Sequence, residues 1–308
     1  MKKNSLIIAV LSLFISTNLW AWGFHTHRKL TAEAFRNMPE AFQKRFANQK
    51  KSFLKGCTDP DTMIQDFTNH IFYPDGTQTG GLYRIQDLFN RSVELLSGEE
   101  SDEKRAYLLG LLSHYIADLN QPLHTAGKER DPFEDKYHSR HETDVNRNLR
   151  NFSFKPVIER PLTSVEERVR EMAGAAYRHY DAIGASYRAE TDLNPIKQMI
   201  EKQLNASVQH IVDFWNAAVR SSRINLENNL QSTEKVSWNL EPETAAKNEQ
   251  ININSASAGE ISAFFRISDA KAQKVVDSRP FRNAYDLART GVFTAMYIKR
   301  HKDKIKLK

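Results

Sequence analysis

The stretch His114-Tyr115-Ile116-Ala117-Asp118-Leu119-Asn120-Gln121-Pro122-Leu123-His124 carries two signals at once. Leu108, Leu109, Leu111 and Leu112 precede it, and with Tyr115 and Ile116 they fall at mixed three- and four-residue spacings. That pattern predicts a buried helix. Within a helix His114 and Asp118 stand one turn apart and share a face. Pro122 then ends the helix, with His124 on the loop beyond. A histidine and a carboxylate so placed can bind one metal ion, and the second carboxylate oxygen can bridge to another. Imidazole nitrogen and carboxylate oxygen are zinc ligands that need no cysteine beside them.

Working outward, the pattern recurs in His138-Ser139-Arg140-His141-Glu142, where His138 and Glu142 are again four apart. Upstream lie Trp22-Gly23-Phe24-His25-Thr26-His27 and Gly56-Cys57-Thr58-Asp59-Pro60-Asp61, the latter before His70. Most of residues 27–222 reads as helix, so the expected fold class is all-α. Residues 195–222 alternate through Ile200, Leu204, Val208, Ile211, Val212, Trp215 and Val219. Another helix begins after Thr163, with Ser164 and Glu167 forming a capping box. Loops are expected at 55–82 and 125–160, and strand signals are weak.

The 308-residue chain suits one ordinary domain with a small appendage. A single cysteine, Cys57, excludes an intramolecular disulfide framework. Of the net charge of +6, the tail at 251–308 carries more than the whole, with 12 Lys/Arg against 5 Asp/Glu. The remainder is near neutral, so bulk attraction to polyanions is not expected of the main body. Residues 1–21 have Lys2 and Lys3 before an apolar stretch from Leu6 to Ile15 and end in Leu19-Trp20-Ala21. This predicts a secretory signal peptide, a secreted or periplasmic protein, and Trp22 as the mature N-terminus. No later apolar run is long enough to cross a bilayer. The expected organisation is a main domain at 22–222, a polar linker at 223–250 and a compact unit at 251–308.

The ordered set of histidines and carboxylates resembles the zinc-dependent phospholipase C family and the related zinc-dependent single-strand nucleases. Those families share an all-helical fold with three zinc ions in one cleft. The resemblance spans about residues 22–222 and implies nine ligands. Asp61, His70, His114 and Asp118 would hold one zinc. The terminal amine and carbonyl of Trp22, with His27 and Asp118, would hold a second, making Asp118 a bridge. His124, His138 and Glu142 would hold the third. Paired metals acidify a water and clamp phosphate oxygens, and a third stabilises the leaving oxygen. Asp61 is the candidate catalytic residue, orienting the attacking water. Alternatives remain open: Asp59 for Asp61, His25 for His27, and His141 with Asp144 for His138 with Glu142.

Two functions follow from the resemblance. The closing His138-Ser-Arg-His-Glu142 and the stretch from His70 to Gly76 look like the phospholipase branch, whereas the nucleases usually close with an aromatic and Asp. The lead expectation is therefore hydrolysis of phospholipid phosphodiesters, with nuclease action on DNA or RNA as the alternative. Of the three choline-holding positions of the bacillus-type phospholipases, only Phe67 matches. The other two hold His25 and Thr62, which predicts weak choline preference. The tail (Ile251–Ser257, Ala270–Phe281, Asp286-Leu287) resembles the double helix-hairpin-helix unit of competence-type DNA-binding proteins. Of its two hairpins, Phe265–Asp269 lacks glycine and Thr290–Thr294 contains Gly291. DNA or another polyanion is thus a candidate partner for the basic end at Lys299, Arg300, Lys302, Lys304, Lys306 and Lys308. A serine hydrolase is not expected for want of a Gly-x-Ser-x-Gly elbow, nor a nucleotide-binding enzyme for want of a phosphate-cradling glycine loop.

Overall fold

The computed structural model describes residues 22–74, 80–127, 130–191 and 193–228, and beyond these 230–234, 236, 238, 250–265, 267, 269–294, 297–298 and 302–307. The expected signal peptide at 1–21, Asp75 and Gly76 of the phospholipase-like stretch, most of the linker, Arg266 and Ser268 of the first hairpin, and Lys299, Arg300 and Lys308 lie outside the described residues. The chain divides into two compact units. One runs to Asp61 and from Gln65 to Ser237; the other takes in Thr62–Ile64 and the residues from Trp238 onward.

Helix α5 (Asp102–Asp118) is the axis of the first unit. It is capped by Ser101, whose side chain accepts from the Lys104 amide. From Leu108 to Asp118 every residue is buried. A helix apolar on all sides must be surrounded, and α5 is surrounded. It packs against α1 (Phe24–Asn37), α3 (Lys50–Gly56), α4 (Gly81–Ser97) and α9 (Lys197–Ser222). Helices α2 (Glu40–Arg45), α6 (Glu134–Arg147), α7 (Val165–Tyr177) and α8 (Tyr180–Arg188) complete this unit. The expected all-α class is the observed one. Ser164 caps α7 by accepting from the Glu167 amide.

The α3–α5 crossing is unusually close, and two glycines permit it. A Cβ on Gly56 would lie 2.2 Å from the Tyr107 carbonyl oxygen, and one on Gly110 would lie 2.4 Å from the Phe53 carbonyl oxygen. No side chain fits either position. Phe35, Phe42, Phe46, Phe53 and Trp215 form an aromatic cluster beside this crossing, all fully buried.

Two local features differ from the sequence reading. Helix α5 ends at Asp118, before Pro122, because Gln121 is held extended (φ −91°, ψ 119°), as a residue preceding proline tends to be. The Asn120 side chain donates back to the Ile116 carbonyl at 2.8 Å. His124 closes a 3₁₀ turn, Pro122–His124, rather than lying on a loop. Likewise the stretch at 125–160, read as loop apart from the helical spacing of His138 and Glu142, holds the whole of α6 in its middle.

The second unit has its own core, including Ile251, Ile253, Ile261, Phe265, Val275 and Phe281. Helices α10 (Ala258–Phe265) and α11 (Asp269–Asp277) pack together. Strands β1 (Ile251–Asn252) and β2 (Ile305–Lys306) pair in parallel, Ile251 opposite Ile305. Gly291 takes a left-handed φ of +66° at the end of a 3₁₀ turn, a conformation glycine adopts without strain.

Candidate metal centre

The C-terminal turn of α5 presents His114 and Asp118 on one face, both fully buried. Around them converge His27 from α1, Asp61 from the turn after α3, and His70 from the 3₁₀ turn Phe67–His70. Asp118 is the hub. Its Oδ1 lies 3.2 Å from His27 Nε2, and its Oδ2 lies 2.8 Å from His70 Nδ1 and 3.1 Å from His114 Nε2. Asp61 Oδ1 is 3.6 Å from His70 Nδ1 and 3.7 Å from His114 Nε2. The rings of His27 and His114 stack with centroids 4.0 Å apart. A further cluster forms from His124, His138 and Glu142, where His138 Nε2 is 3.0 Å from Glu142 Oε1.

Three groups of donor atoms each lie within 4.8 Å of one another: His27, Asp61 and His114; His70, His114 and Asp118; His124, His138 and Glu142. The third matches the set expected for a third ion. The first brings Asp61 and His27 together about His114, which the expected division had kept apart. Trp22, fully buried, donates its indole Nε1–H to the Ala117 carbonyl at 2.9 Å, one residue from Asp118.

The alternatives behave differently. Asp59 is engaged by Lys55 and by the Tyr107 hydroxyl at 2.9 Å. His141 is fully buried against Tyr187 and Trp22 with both ring nitrogens unpaired among the described residues, but it joins none of the convergent donor groups, whereas His138 and Glu142 do. His25 is half-buried with its ring edge-on to Phe24.

Carbonyl oxygens orient two of the imidazoles. His114 Nδ1 meets the Cys57 carbonyl and His124 Nδ1 meets the His70 carbonyl, each at 2.9 Å. With Nδ1–H donated, Nε2 carries the lone pair toward the centre. Gln121 Nε2 donates to Glu142 Oε1 at 3.3 Å, and its own oxygen accepts from the Leu123 amide. Glu134, Gln121 and Tyr180 had no role in the sequence reading, although Glu134 stands one helical turn before His138 and could have been found by that spacing.

The electrostatics are those of buried imidazoles and carboxylates crowded together. Burial alone would lower His70, but the Asp118 and Asp66 carboxylates close beside it outweigh that and lift its pKa to about 10. Burial also opposes protonation of His138, yet the charge of Glu142 and bonds to Glu134 and Glu142 raise it to about 9. Asp118 is held well below the usual carboxylate range, its burial overcome by His114 and His27. His27 is lowered by burial and then by the charge of His114.

These residues fit zinc. Among the described residues, both nitrogens of His27 and of His141, Nε2 of His70 and His124, Oδ1 of Asp61 and both oxygens of Asp118 are buried without a hydrogen-bond partner. So are Gln43 Oε1 and Arg84 Nε, outside the histidine–carboxylate clusters. Polar atoms buried unpaired cost free energy and are rare in native structures. Those of His27, Asp61, His70, Asp118 and His124 are nitrogen and oxygen atoms that fall in the three convergent groups, as zinc ligands must. A small open pocket adjoins them, with Phe67, Tyr73 and Leu123 as apolar wall and His70, His124 and His138 as polar side.

Comparison with known proteins agrees with this chemistry. The family model described as zinc dependent phospholipase C matches residues 26–210. Among solved structures, the alpha-toxin of Clostridium perfringens is similar at 12% identity and a TM-score of 0.51, over 68% of this chain and 66% of that one. The alpha toxin of Clostridium absonum is similar at 15% identity and a TM-score of 0.42, over 71% and 66%. The chain thus spans just under two thirds of the length of either toxin. No curated protein sequence matches it. The family match extends over more than half of the residues, and the perfringens structure shares the helical fold. With the imidazole and carboxylate clusters where zinc ligands are required, the chain belongs to the zinc-dependent phospholipase C family.

Proposed function

We propose that this protein is a phospholipase C-like phosphodiesterase that uses zinc to hydrolyse phospholipids between the glycerol oxygen and the phosphate, releasing a phosphorylated headgroup. The observation that carries the reading is the Asp118 carboxylate, whose two unpaired oxygens face different imidazoles. Such a carboxylate suits two cations held close together, the arrangement that phosphodiester hydrolysis uses. In this reading His70, His114, Asp61 and Asp118 hold one ion; Trp22, His27 and Asp118 a second; His124, His138 and Glu142 a third. Zinc there supplies Lewis acidity to phosphate oxygens and lowers the pKa of water.

The chain's own residues do the rest. Asp61, buried with Oδ1 unpaired, would orient a water and take its proton as that water attacks phosphorus. The P–O bond to the lipid glycerol breaks, its oxygen leaves with a proton from water, and Asp61 returns its own proton to solvent. The carbonyls of Cys57 and His70 keep His114 and His124 in the tautomer that presents Nε2. Phe67, Tyr73 and Leu123 offer apolar surface to a lipid glycerol or headgroup and limit water access. Residues 22–222 make up the catalytic domain, and 251–308 a separate unit joined by the linker. Export with removal of residues 1–21 frees the Trp22 amine. Among the described residues no helix is long and apolar enough to cross a membrane.

The family match supports the lipid reading over the nuclease reading. The deciding experiment assays the zinc-loaded chain beginning at Trp22 on phosphatidylcholine, phosphatidylethanolamine and single-stranded DNA. Release of a phosphorylated headgroup, abolished by a chelator and restored by zinc, is the expected result. Cleavage of DNA alone would replace this reading with the nuclease.

A further inference from the structure

We propose that Glu134 is a positioning residue that fixes the His138 imidazole for zinc and is itself fixed by Tyr180. The inference rests on the metal-centre reading above and names a residue outside its ligand set. His114 and His124 have Nδ1 against neutral carbonyls. His138 differs: its Nδ1 lies 2.9 Å from Glu134 Oε1, a full carboxylate one helical turn back on α6. The proton on Nδ1 therefore points at Glu134, and Nε2 is left to face Glu142 at 3.0 Å.

Glu134 is only 2% exposed, so its charge is not dispersed into solvent. Its other oxygen, Oε2, accepts the Tyr180 hydroxyl hydrogen bond. Tyr180 is itself 1% exposed and belongs to α8, and burial with the neighbouring carboxylate keeps its proton in place. The guanidinium of Arg130 covers its ring, 5.4 Å from the centroid. The result is a chain of contacts from α8 through Glu134 to His138. It ends at the cluster proposed for the third ion, on the edge of the cavity. A carboxylate so placed fixes the tautomer and ring angle of a ligand and raises its basicity.

A purely structural Glu134 would instead only tie α6 to α8. The two roles separate when zinc binding is read directly. The full chain beginning at Trp22, its Glu134→Gln and Glu134→Ala variants, and Tyr180→Phe are titrated with zinc against a competing chromophoric chelator. Each protein is also refilled with cobalt(II) to record its visible spectrum. The expected result is that one metal equivalent weakens, by about 10-fold in Glu134→Gln and up to about 100-fold in Glu134→Ala. Tyr180→Phe weakens the same equivalent less, and the cobalt band of that equivalent shifts. Folded Glu134→Gln with wild-type affinity for every equivalent, and only a lower melting temperature when metal-free, overturns the proposal. The isosteric Gln variant decides the matter if the Ala variant does not fold. Lipid hydrolysis by the unmutated chain is measured alongside. A chain that shows the metal effect but cleaves no lipid overturns the proposed function and leaves the role of Glu134 standing.

Discussion

Asp118 turns Oδ1 toward His27 Nε2 at 3.2 Å while its Oδ2 faces away, toward His70 and His114. One carboxylate thus faces imidazoles from three different segments of the chain, and neither oxygen has a hydrogen-bond partner among the described residues. Asp118→Asn removes one charge shared between two positions and replaces one oxygen by a donor. The expected outcome is loss of more than one zinc equivalent by metal analysis. His138→Ala should lose about one, because its cluster with His124 and Glu142 is separate. Equal losses in the two variants would contradict the proposed division of ligands.

Trp22 is anchored by its indole, which donates to the Ala117 carbonyl beside Asp118. Its fully buried ring should hold its place whatever precedes it. One additional residue before Trp22 converts the amine to an amide, which is a poor metal ligand. The fold should survive, with unchanged circular dichroism, while one zinc equivalent and most activity are lost. An extended chain with full activity and full zinc would exclude a terminal chelate.

The His114–Asp118 pair was legible because a helix repeats every 3.6 residues, so a four-residue spacing fixes a shared face. His138 and Glu142 were legible for the same reason, and together these pairs pointed to metal binding, while the apolar periodicity of residues 108–116 and 195–222 pointed to the all-α fold. Asp61 against Asp59 was not legible. Both are carboxylates near Pro60, and only tertiary structure shows Asp59 taken up by Lys55 and Tyr107. The role of Tyr180 was hidden similarly, since it reaches Glu134 from a helix 46 positions later. The end of α5 was misjudged because proline marks where a helix must have stopped, and Asn120 and the extended Gln121 stop it sooner.

Gly56 and Gly110 set the height of the metal centre as well as the packing of α3 on α5. Their close approach brings the Cys57 carbonyl within 2.9 Å of His114 Nδ1. A methyl at Gly110 would meet main-chain oxygen at 2.4 Å, which cannot rotate away. Gly110→Ala, although favourable to an isolated helix, should therefore destabilise the protein by about 3 kcal/mol. Urea unfolding of the metal-free protein measures this. Zinc affinity should fall too, as His114 loses its orienting carbonyl.

The pH dependence follows from the imidazoles and has opposite signs on the two sides of neutrality. In the metal-free protein His70 and His138 are raised, to about 10 and about 9. Each binds its proton more tightly folded than unfolded, where histidine titrates near 6.5. Their contribution to stability is complete below about 6.5 and is lost as the pH rises through 9 and 10. His141 and His210 go the other way, burial lowering both to about 3. They stay neutral in the fold while the unfolded chain takes up protons below about 6.5, so stability falls as the pH drops from there toward 3. Metal-free protein should accordingly be most stable near pH 6.5. Zinc requires the neutral imidazoles of His70 and His138, so it must displace the protons that stabilise the empty site. Raising the pH from about 6 to about 8.5 should therefore strengthen zinc binding while weakening the metal-free fold. The gap between the melting temperatures of zinc-loaded and chelator-treated protein should widen across that range. A gap that stays constant would mean that protons and zinc do not compete for these nitrogens, and the ligand role of His70 and His138 would have to be given up.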